Sequence, residues 1–186
     1  VMTRSFVLVS VLLTITACSR ERRDPREKAC DRSDAHQCFV LAAELQTSCM
    51  SRTCDEVMLA RLVRFMSRAC ELGEPEACHD LGYLHFAGLG LPKNVAKAAE
   101  YYTAACDRGI GRGCSNLGWL QRREPTTGDI TAAVRLYAQG CRAGDGKGCC
   151  GEGELRQFGL GAPRDLARAR AAFEHGRIDP QIRMAI

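Results

Sequence analysis

The sequence has little of what several protein classes require. Its single long apolar run, Phe6 to Ala17, has twelve residues, whereas a membrane-spanning helix needs about 20. A net charge of +4 is too small to indicate nucleic-acid binding. With 26% charged and 46% hydrophobic residues among 186, the chain has the composition of a globular protein. We therefore expect one folded domain and no nucleic-acid partner.

Motifs for metal ions and cofactors are also absent. No Cys-x-x-Cys pair, no Cys-x-x-Cys-His run and no His-Glu-x-x-His run occurs. The two Gly-Leu-Gly runs, 88–90 and 159–161, fall at the same place in a repeating pattern and indicate turns rather than a phosphate-binding loop. We expect no metal site and no cofactor. The four histidines share no zinc-binding pattern: His36, His79, His85 and His175.

The amino terminus predicts a secreted protein. One basic residue, Arg4, precedes the apolar run, as in a signal peptide. The run ends at Ile15-Thr16-Ala17-Cys18, which resembles the lipobox of bacterial lipoproteins. This resemblance implies a signal peptide over 1–17, lipidation of Cys18 and attachment to the cell envelope. Ser19, rather than aspartate, implies the outer membrane by resemblance to enterobacterial sorting. An ordinary signal peptide with an incidental cysteine is the alternative.

The segment after Cys18 carries many charges and no apolar side chain apart from a proline. We expect residues 18–28 to be a solvated tether between the anchor and the folded domain. Beside a lipid anchor, the basic residues of this tether could also contact anionic headgroups.

The 12 cysteines are the strongest feature of the composition, because a cytosolic chain of this length rarely carries so many unless they bind metal. Four pairs are separated by eight residues, and they recur at steps of 40, 36 and 35. The pairs are Cys30 and Cys38, Cys70 and Cys78, Cys106 and Cys114, and Cys141 and Cys149. In the last three units, glycine and leucine follow the second cysteine by four and six positions. Such a period predicts a solenoid.

Each unit has two stretches of helical periodicity. In one unit, 76–87 has an apolar face, the run 88–92 breaks the helix, and Asn94 can cap a second helix that Gly109 closes. Asp165 can cap the corresponding helix of the last unit. No segment has the alternation of a strand, so we predict an all-α superhelix of helix-turn-helix units. We place the domain at 29–177, a tail at 178–186, and the units near 30–69, 70–105, 106–140 and 141–176.

The cysteine spacing fits disulfides between units. The first cysteine of a pair falls in the last turn of one helix, and the second falls in the first turn of the next. Two antiparallel helices that leave a tight turn can bring such positions within the ~5.5 Å Cα separation of a disulfide. In one continuous helix they would lie about 12 Å apart. We therefore expect four disulfides that fix the angle between successive units.

The repeat resembles a known family. The run from Ala69 to Leu84, then Gly88-Leu89-Gly90, then 97–102, looks like a Sel1-like repeat, which implies a fold similar to tetratricopeptide repeats. The paired cysteines are similar to the cysteine-rich subgroup first described in Helicobacter. The resemblance covers residues 30–176 and is weakest after Cys30. We expect Cys49 and Cys54 to form a fifth disulfide, which leaves Cys150 as a free buried thiol.

The subgroup is associated with penicillin binding and β-lactamase activity, but none of the required motifs, Ser-x-x-Lys, Ser-Asp-Asn and Lys-Thr-Gly, occurs. We therefore assign no catalytic residue. The leading hypothesis is a monomeric lipoprotein scaffold that binds a protein, a peptide or a cell-wall fragment in the concave groove of its superhelix. The alternatives are a hydrolase or binder of β-lactams or peptidoglycan fragments, and a purely structural component of the envelope.

Overall fold

The computed structural model describes residues 24–51, 54–123 and 128–177, and within them the chain forms nine α-helices and no β-strand. In chain order the helices are α1 (Pro25–Asp31), α2 (Ala35–Ser51), α3 (Glu56–Glu71), α4 (Pro75–Ala87), α5 (Val95–Asp107), α6 (Gly111–Arg123), α7 (Ile130–Arg142), α8 (Gly146–Phe158) and α9 (Leu166–Arg177). None of these helices is long and apolar enough to cross a membrane. The predicted signal peptide 1–17, the lipidation site Cys18 and the tail 178–186 lie outside the described residues.

The helices pack as a series of two-helix units. From α1 onward, each helix contacts the next along the chain, and α6 also contacts α8 in the following unit. Contacts between neighbours in sequence are typical of a solenoid. Disulfides join consecutive helices at four places. The prediction of an all-α solenoid cross-linked by disulfides is therefore confirmed.

Side-chain caps begin several of the helices. Asn94 Oδ1 accepts a hydrogen bond from the backbone N–H of Lys97 at 3.0 Å, and Asp165 Oδ1 accepts one from Arg168 at 2.9 Å. Asp129 Oδ1 caps α7 by accepting from two backbone N–H groups. Each cap satisfies donors that have no partner inside the helix. The caps predicted at Asn94 and Asp165 are confirmed.

In the turns between units, the residue three positions after the first cysteine of each pair has a left-handed backbone conformation. Gly73, Gly109 and Gly144 occupy this position with φ values of 102°, 91° and 84°. Ser33 takes the same place in the first unit with a φ of 77°. Because side chains disfavour this conformation, the tight turn explains the repeated glycine. The turn also brings the two cysteines of each pair together.

A second glycine of the repeat allows two helices to approach closely. The glycine four positions after the second cysteine lies under an aromatic ring of the following helix. A Cβ atom added at Gly82 would lie 2.7 Å from the ring of Tyr102, which no side chain could tolerate without movement. The three glycine–ring pairs are Gly82 with Tyr102, Gly118 with Tyr137, and Gly153 with Phe173. Tyr102 and Tyr137 each belong to a buried hydrophobic cluster that joins neighbouring helices.

The start of the domain differs from the expected tether. Residues 25–28 belong to α1, which Asp24 caps through the backbone N–H of Arg26 at 2.9 Å. Arg26 also pairs with Glu44 of α2, and Glu27 pairs with Arg61 of α3. The tether prediction is therefore wrong for this part, because ion pairs to later helices hold a segment that has almost no apolar side chain. The rest of the predicted tether, 18–23, lies outside the described residues.

Candidate binding cleft

A cleft of about 420 Å³ crosses α4, α6 and α8, which are the first helices of three successive units. Its volume falls in the range of ligand-binding pockets, roughly 300–1,000 Å³. The side chains and backbone that line it belong to Tyr83, Phe86, Tyr102, Ser115, Asn116, Trp119, Arg122, Tyr137, Lys147, Cys150, Gly151 and Glu154. We call this site the cleft.

The repeat itself generates the cleft. The first helices supply lining residues one, two, five and eight positions after the second cysteine, and these positions share one helix face because a turn has 3.6 residues. Position five, for example, holds Tyr83, Trp119 and Glu154 in the three units. None of these residues was identified from the sequence as a site. These residues occupy the same positions of the repeat but differ in side chain from unit to unit. That pattern is the signal that could have indicated the cleft.

Aromatic rings form one wall of the cleft. Phe86 and Trp119 meet edge to face with ring centroids 5.3 Å apart. Cations flank both rings, with the Lys93 ammonium 5.5 Å from the Phe86 centroid and the Arg123 guanidinium 4.8 Å from that of Trp119. Trp119 nevertheless stays 36% exposed. A partly exposed tryptophan held by its neighbours is typical of binding surfaces.

A buried histidine orients an amide of the cleft. His79 is 9% exposed, its Nε2 lies 3.1 Å from Asn116 Nδ2, and its Nδ1 lies 2.8 Å from Asp80 Oδ1. Because an amide nitrogen can only donate, Nε2 is the acceptor and Nδ1 carries the proton that Asp80 accepts. Asn116 therefore donates one N–H inward. This arrangement fixes the Asn116 side chain in the cleft wall.

The remaining polar groups include one ion pair and several neutral donors. Arg122 Nη1 lies 2.7 Å from Glu154 Oε2 across two units. Burial raises the pKa of Tyr102 to about 12 and also raises the pKa of Tyr137, so both phenols stay protonated at neutral pH. Burial, and then the charge of Glu154, raises the pKa of the Cys150 thiol. Cys150 is therefore a weak nucleophile in this setting.

The serine of the cleft is buried, and its hydroxyl group is not exposed to a ligand. Ser115 is 3% exposed, and its Oγ has no hydrogen-bond partner among the described residues. The side chain lies against Gly140 and Gly148, where any Cβ atom would collide with the hydroxyl. A serine nucleophile needs a base within hydrogen-bond reach. Among the residues that the structure describes, no such base contacts Ser115 Oγ.

The structure places ten cysteines in five disulfides. The four pairs with a separation of eight have Cα–Cα distances of 4.8, 4.7, 4.6 and 4.4 Å in chain order, within the usual range of disulfides. Cys49 and Cys54 form the fifth pair, with a Cα–Cα distance of 4.5 Å. Cys150 is half-buried and is the one cysteine among the described residues without a disulfide. None of the ten bonded cysteines lines the cleft.

Stacked helical pairs with a cleft across their first helices define a helical-repeat protein. The model of the Sel1 repeat family matches residues 75–110, 111–145 and 150–171, which together are half of the chain. The chain belongs to the Sel1 repeat family. The match begins at α4. The first unit, whose sequence resembles the repeat least, has the helices of the fold but is not matched by the family model.

Two solved structures share the fold. A protective antigen with an SLR fold from uropathogenic Escherichia coli is 22% identical with a TM-score of 0.73, over 83% of this chain and 32% of the other. A Sel1 repeat protein from Oxalobacter formigenes is 23% identical with a TM-score of 0.73, over 85% of this chain and 62% of the other. The chain thus spans about a third and three-fifths of these two proteins. A comparison with curated proteins finds no match.

Proposed function

We propose that this chain is a monomeric envelope scaffold that binds a peptide segment of a partner protein in the cleft. The observation that carries the proposal is the exposed Trp119 edge-packed on Phe86, beside the Arg122–Glu154 ion pair and the neutral donors Asn116 and Tyr137. Tryptophan, tyrosine and arginine are the residues that most often dominate protein recognition. Solenoids recognise extended segments on such faces.

Replacing Trp119 with alanine should weaken peptide binding at least tenfold, because the indole supplies a large rigid contact surface at the centre of the cleft. Peptides selected from a phage-displayed library on the oxidised full chain serve as probes, and calorimetry gives their Kd. Phe158→Ala is the matched control. Phe158 is also an exposed aromatic residue, at 67%, but it does not line the cleft.

The Phe158→Ala variant should bind the same peptides within twofold of the native chain. Equal losses in the two variants would contradict binding in the cleft. Recovery of no peptide by the native chain would favour a purely structural role in the envelope.

We also propose that Cys18 carries the lipid that anchors the scaffold to the bacterial envelope, with residues 1–17 removed. The supporting observation is the sequence Ile15-Thr16-Ala17-Cys18 after a short apolar run. The five disulfides fit an oxidising compartment and the cysteine-rich subgroup of the family.

Mass mapping of the mature protein from bacterial membranes should show a chain that begins at Cys18 with a diacylglyceryl or triacyl group on that residue. Ten of the other eleven cysteines should be oxidised. The Cys18→Ala variant should lack the lipid mass and leave the membrane fraction. A mature chain that begins elsewhere, with Cys18 unmodified, would support ordinary secretion instead.

The alternative function is hydrolysis of a β-lactam. Ser115 is the serine in the cleft, and its buried Oγ has no base beside it among the described residues. We therefore expect no turnover of a chromogenic cephalosporin above the buffer rate. Turnover that Ser115→Ala abolishes and Ser67→Ala leaves intact would instead establish a serine hydrolase.

A further inference from the structure

One disulfide outside the cleft has a histidine beside both of its sulfur atoms. His175 Nδ1 lies 3.4 Å from Cys149 Sγ and 3.6 Å from Cys141 Sγ. The two cysteines are buried, whereas His175 is exposed on α9, the last described helix. Among the described residues, this is the one cluster of three metal-binding side chains, and its ligand atoms all lie within 4.8 Å of one another.

We propose that reduction of the Cys141–Cys149 disulfide creates a binding site for a divalent metal ion of the zinc type. A thiol reductant supplies two electrons and is itself oxidised to a disulfide, while the protein disulfide takes up two protons and becomes two thiols. The metal ion then displaces one proton from each thiol and bonds to the two Sγ atoms and to His175 Nδ1. Two thiolates and an imidazole are a ligand set that zinc favours, and water can occupy the fourth position.

The distances around His175 fit tetrahedral coordination. With bonds of about 2.3 Å to sulfur and 2.05 Å to nitrogen, a tetrahedral ion separates sulfur and nitrogen by about 3.5 Å. The observed separations of 3.4 and 3.6 Å lie on either side of this value. The same geometry separates the two sulfur atoms by about 3.8 Å. The sulfur atoms must therefore move apart, and breaking the bond between them permits this movement.

The surroundings of another disulfide show why the site is specific. Cys70 and Cys78 have the same spacing, but Arg108 Nη1 lies 3.2 Å from Cys78 Sγ. A guanidinium has no lone pair for a metal ion, and its charge repels a cation. Among the residues that the structure describes, the other three pairs of this spacing have no third metal-binding side chain. They are internal controls within the same chain.

The experiment measures the redox state of each disulfide in the full, folded chain. The chain is equilibrated in a glutathione redox buffer, with or without free zinc held constant by a chelator. Acid quenching, alkylation and peptide mass mapping then give the ratio of reduced to oxidised cysteine at each pair. Zinc should raise this ratio at least tenfold for Cys141 and Cys149 once its free concentration exceeds its Kd about tenfold, because it binds only the reduced pair.

In the same samples, zinc should change the ratio for Cys106 and Cys114 by less than twofold. The His175→Ala variant should lose the zinc effect, whereas His36→Ala, which changes an exposed histidine outside the cluster, should retain it. Circular dichroism checks that both variants are folded. The proposal is overturned if zinc leaves the ratio at Cys141 and Cys149 unchanged, if it raises the ratio equally at the other pairs, or if His175→Ala keeps the effect.

Discussion

Replacing both Cys106 and Cys114 with alanine should lower the free energy of unfolding by roughly 2–3 kcal/mol. The disulfide joins the end of α5 to the start of α6, with the two Cα atoms 4.6 Å apart. In the chain-entropy model, a closed loop this short still restricts the unfolded chain by about that amount. Urea unfolding, followed by circular dichroism, measures the change.

The loss should come mainly from the covalent bond and in smaller part from packing. Cys106 and Cys114 are only 3% and 1% exposed, so alanine at these sites removes one buried sulfur atom from each. Cys150→Ala is the control, because it removes a half-buried sulfur that has no bond. We expect this control to cost less than about 1 kcal/mol.

Reducing conditions provide the second control. With this bond also open in the native chain, the double variant and the native chain should differ by less than about 1 kcal/mol. A difference that persists after reduction would show that cavities, and not the cross-link, account for the loss.

The position of the disulfides explains their effect on the cleft. Each of the four regular pairs links the second helix of one unit to the first helix of the next, beside a left-handed turn. The cleft is built from three first helices, so its shape depends on the angles between units. A bond at each turn restricts these angles and so restricts the shape of the cleft, which would favour the proposed peptide binding.

Much of the fold could be predicted because each unit repeats its local chemistry. Cysteines eight residues apart, glycine four positions later and capping residues such as Asn94 all act within one or two helices. Such short-range patterns are visible in the sequence without knowledge of distant contacts. The helical class and the turns between units therefore followed from the sequence.

Helix α1 could not be predicted because its contacts are distant in sequence. Arg26 and Glu27 bind acidic and basic partners 18 and 34 residues away. The sequence around these residues shows only high charge, which is also typical of a tether. Only the positions of α2 and α3 in the folded chain show that this segment is a packed helix and not a tether.

The cleft was missed for a related reason. Its residues come from three units, and their side chains differ from one unit to the next. Repeated residues indicate the framework, whereas a binding surface consists of positions that share a register but vary in chemistry. His175 shows the same limit, since its approach to Cys141 and Cys149 depends on how α9 packs on α7 and α8.

Replacing Gly148 with alanine should destabilise the protein by about 2–3 kcal/mol, through overpacking where α7 ends and α8 begins. A Cβ atom there would lie 2.7 Å from the backbone nitrogen of Cys141 and 2.9 Å from the carbonyl carbon of Gly140. These are backbone atoms, and the disulfide from Cys141 to Cys149 holds them in place. The collision should outweigh the gain of about 1 kcal/mol that alanine gives in a helix. Urea unfolding of the oxidised variant and of the oxidised native chain measures the difference in their free energies of unfolding.

Gly118→Ala is the matched control within the same array. Its added Cβ would first meet Leu136 Cβ and a ring carbon of Tyr137 at 3.3 Å, so a displacement of a few tenths of an ångström would accommodate it. We expect its stability to stay within about 1 kcal/mol of the native value, because the helical preference of alanine offsets the tighter packing. Equal stability of the two variants would show that the turn between α7 and α8 can open, and that the disulfide does not fix the angle between these units.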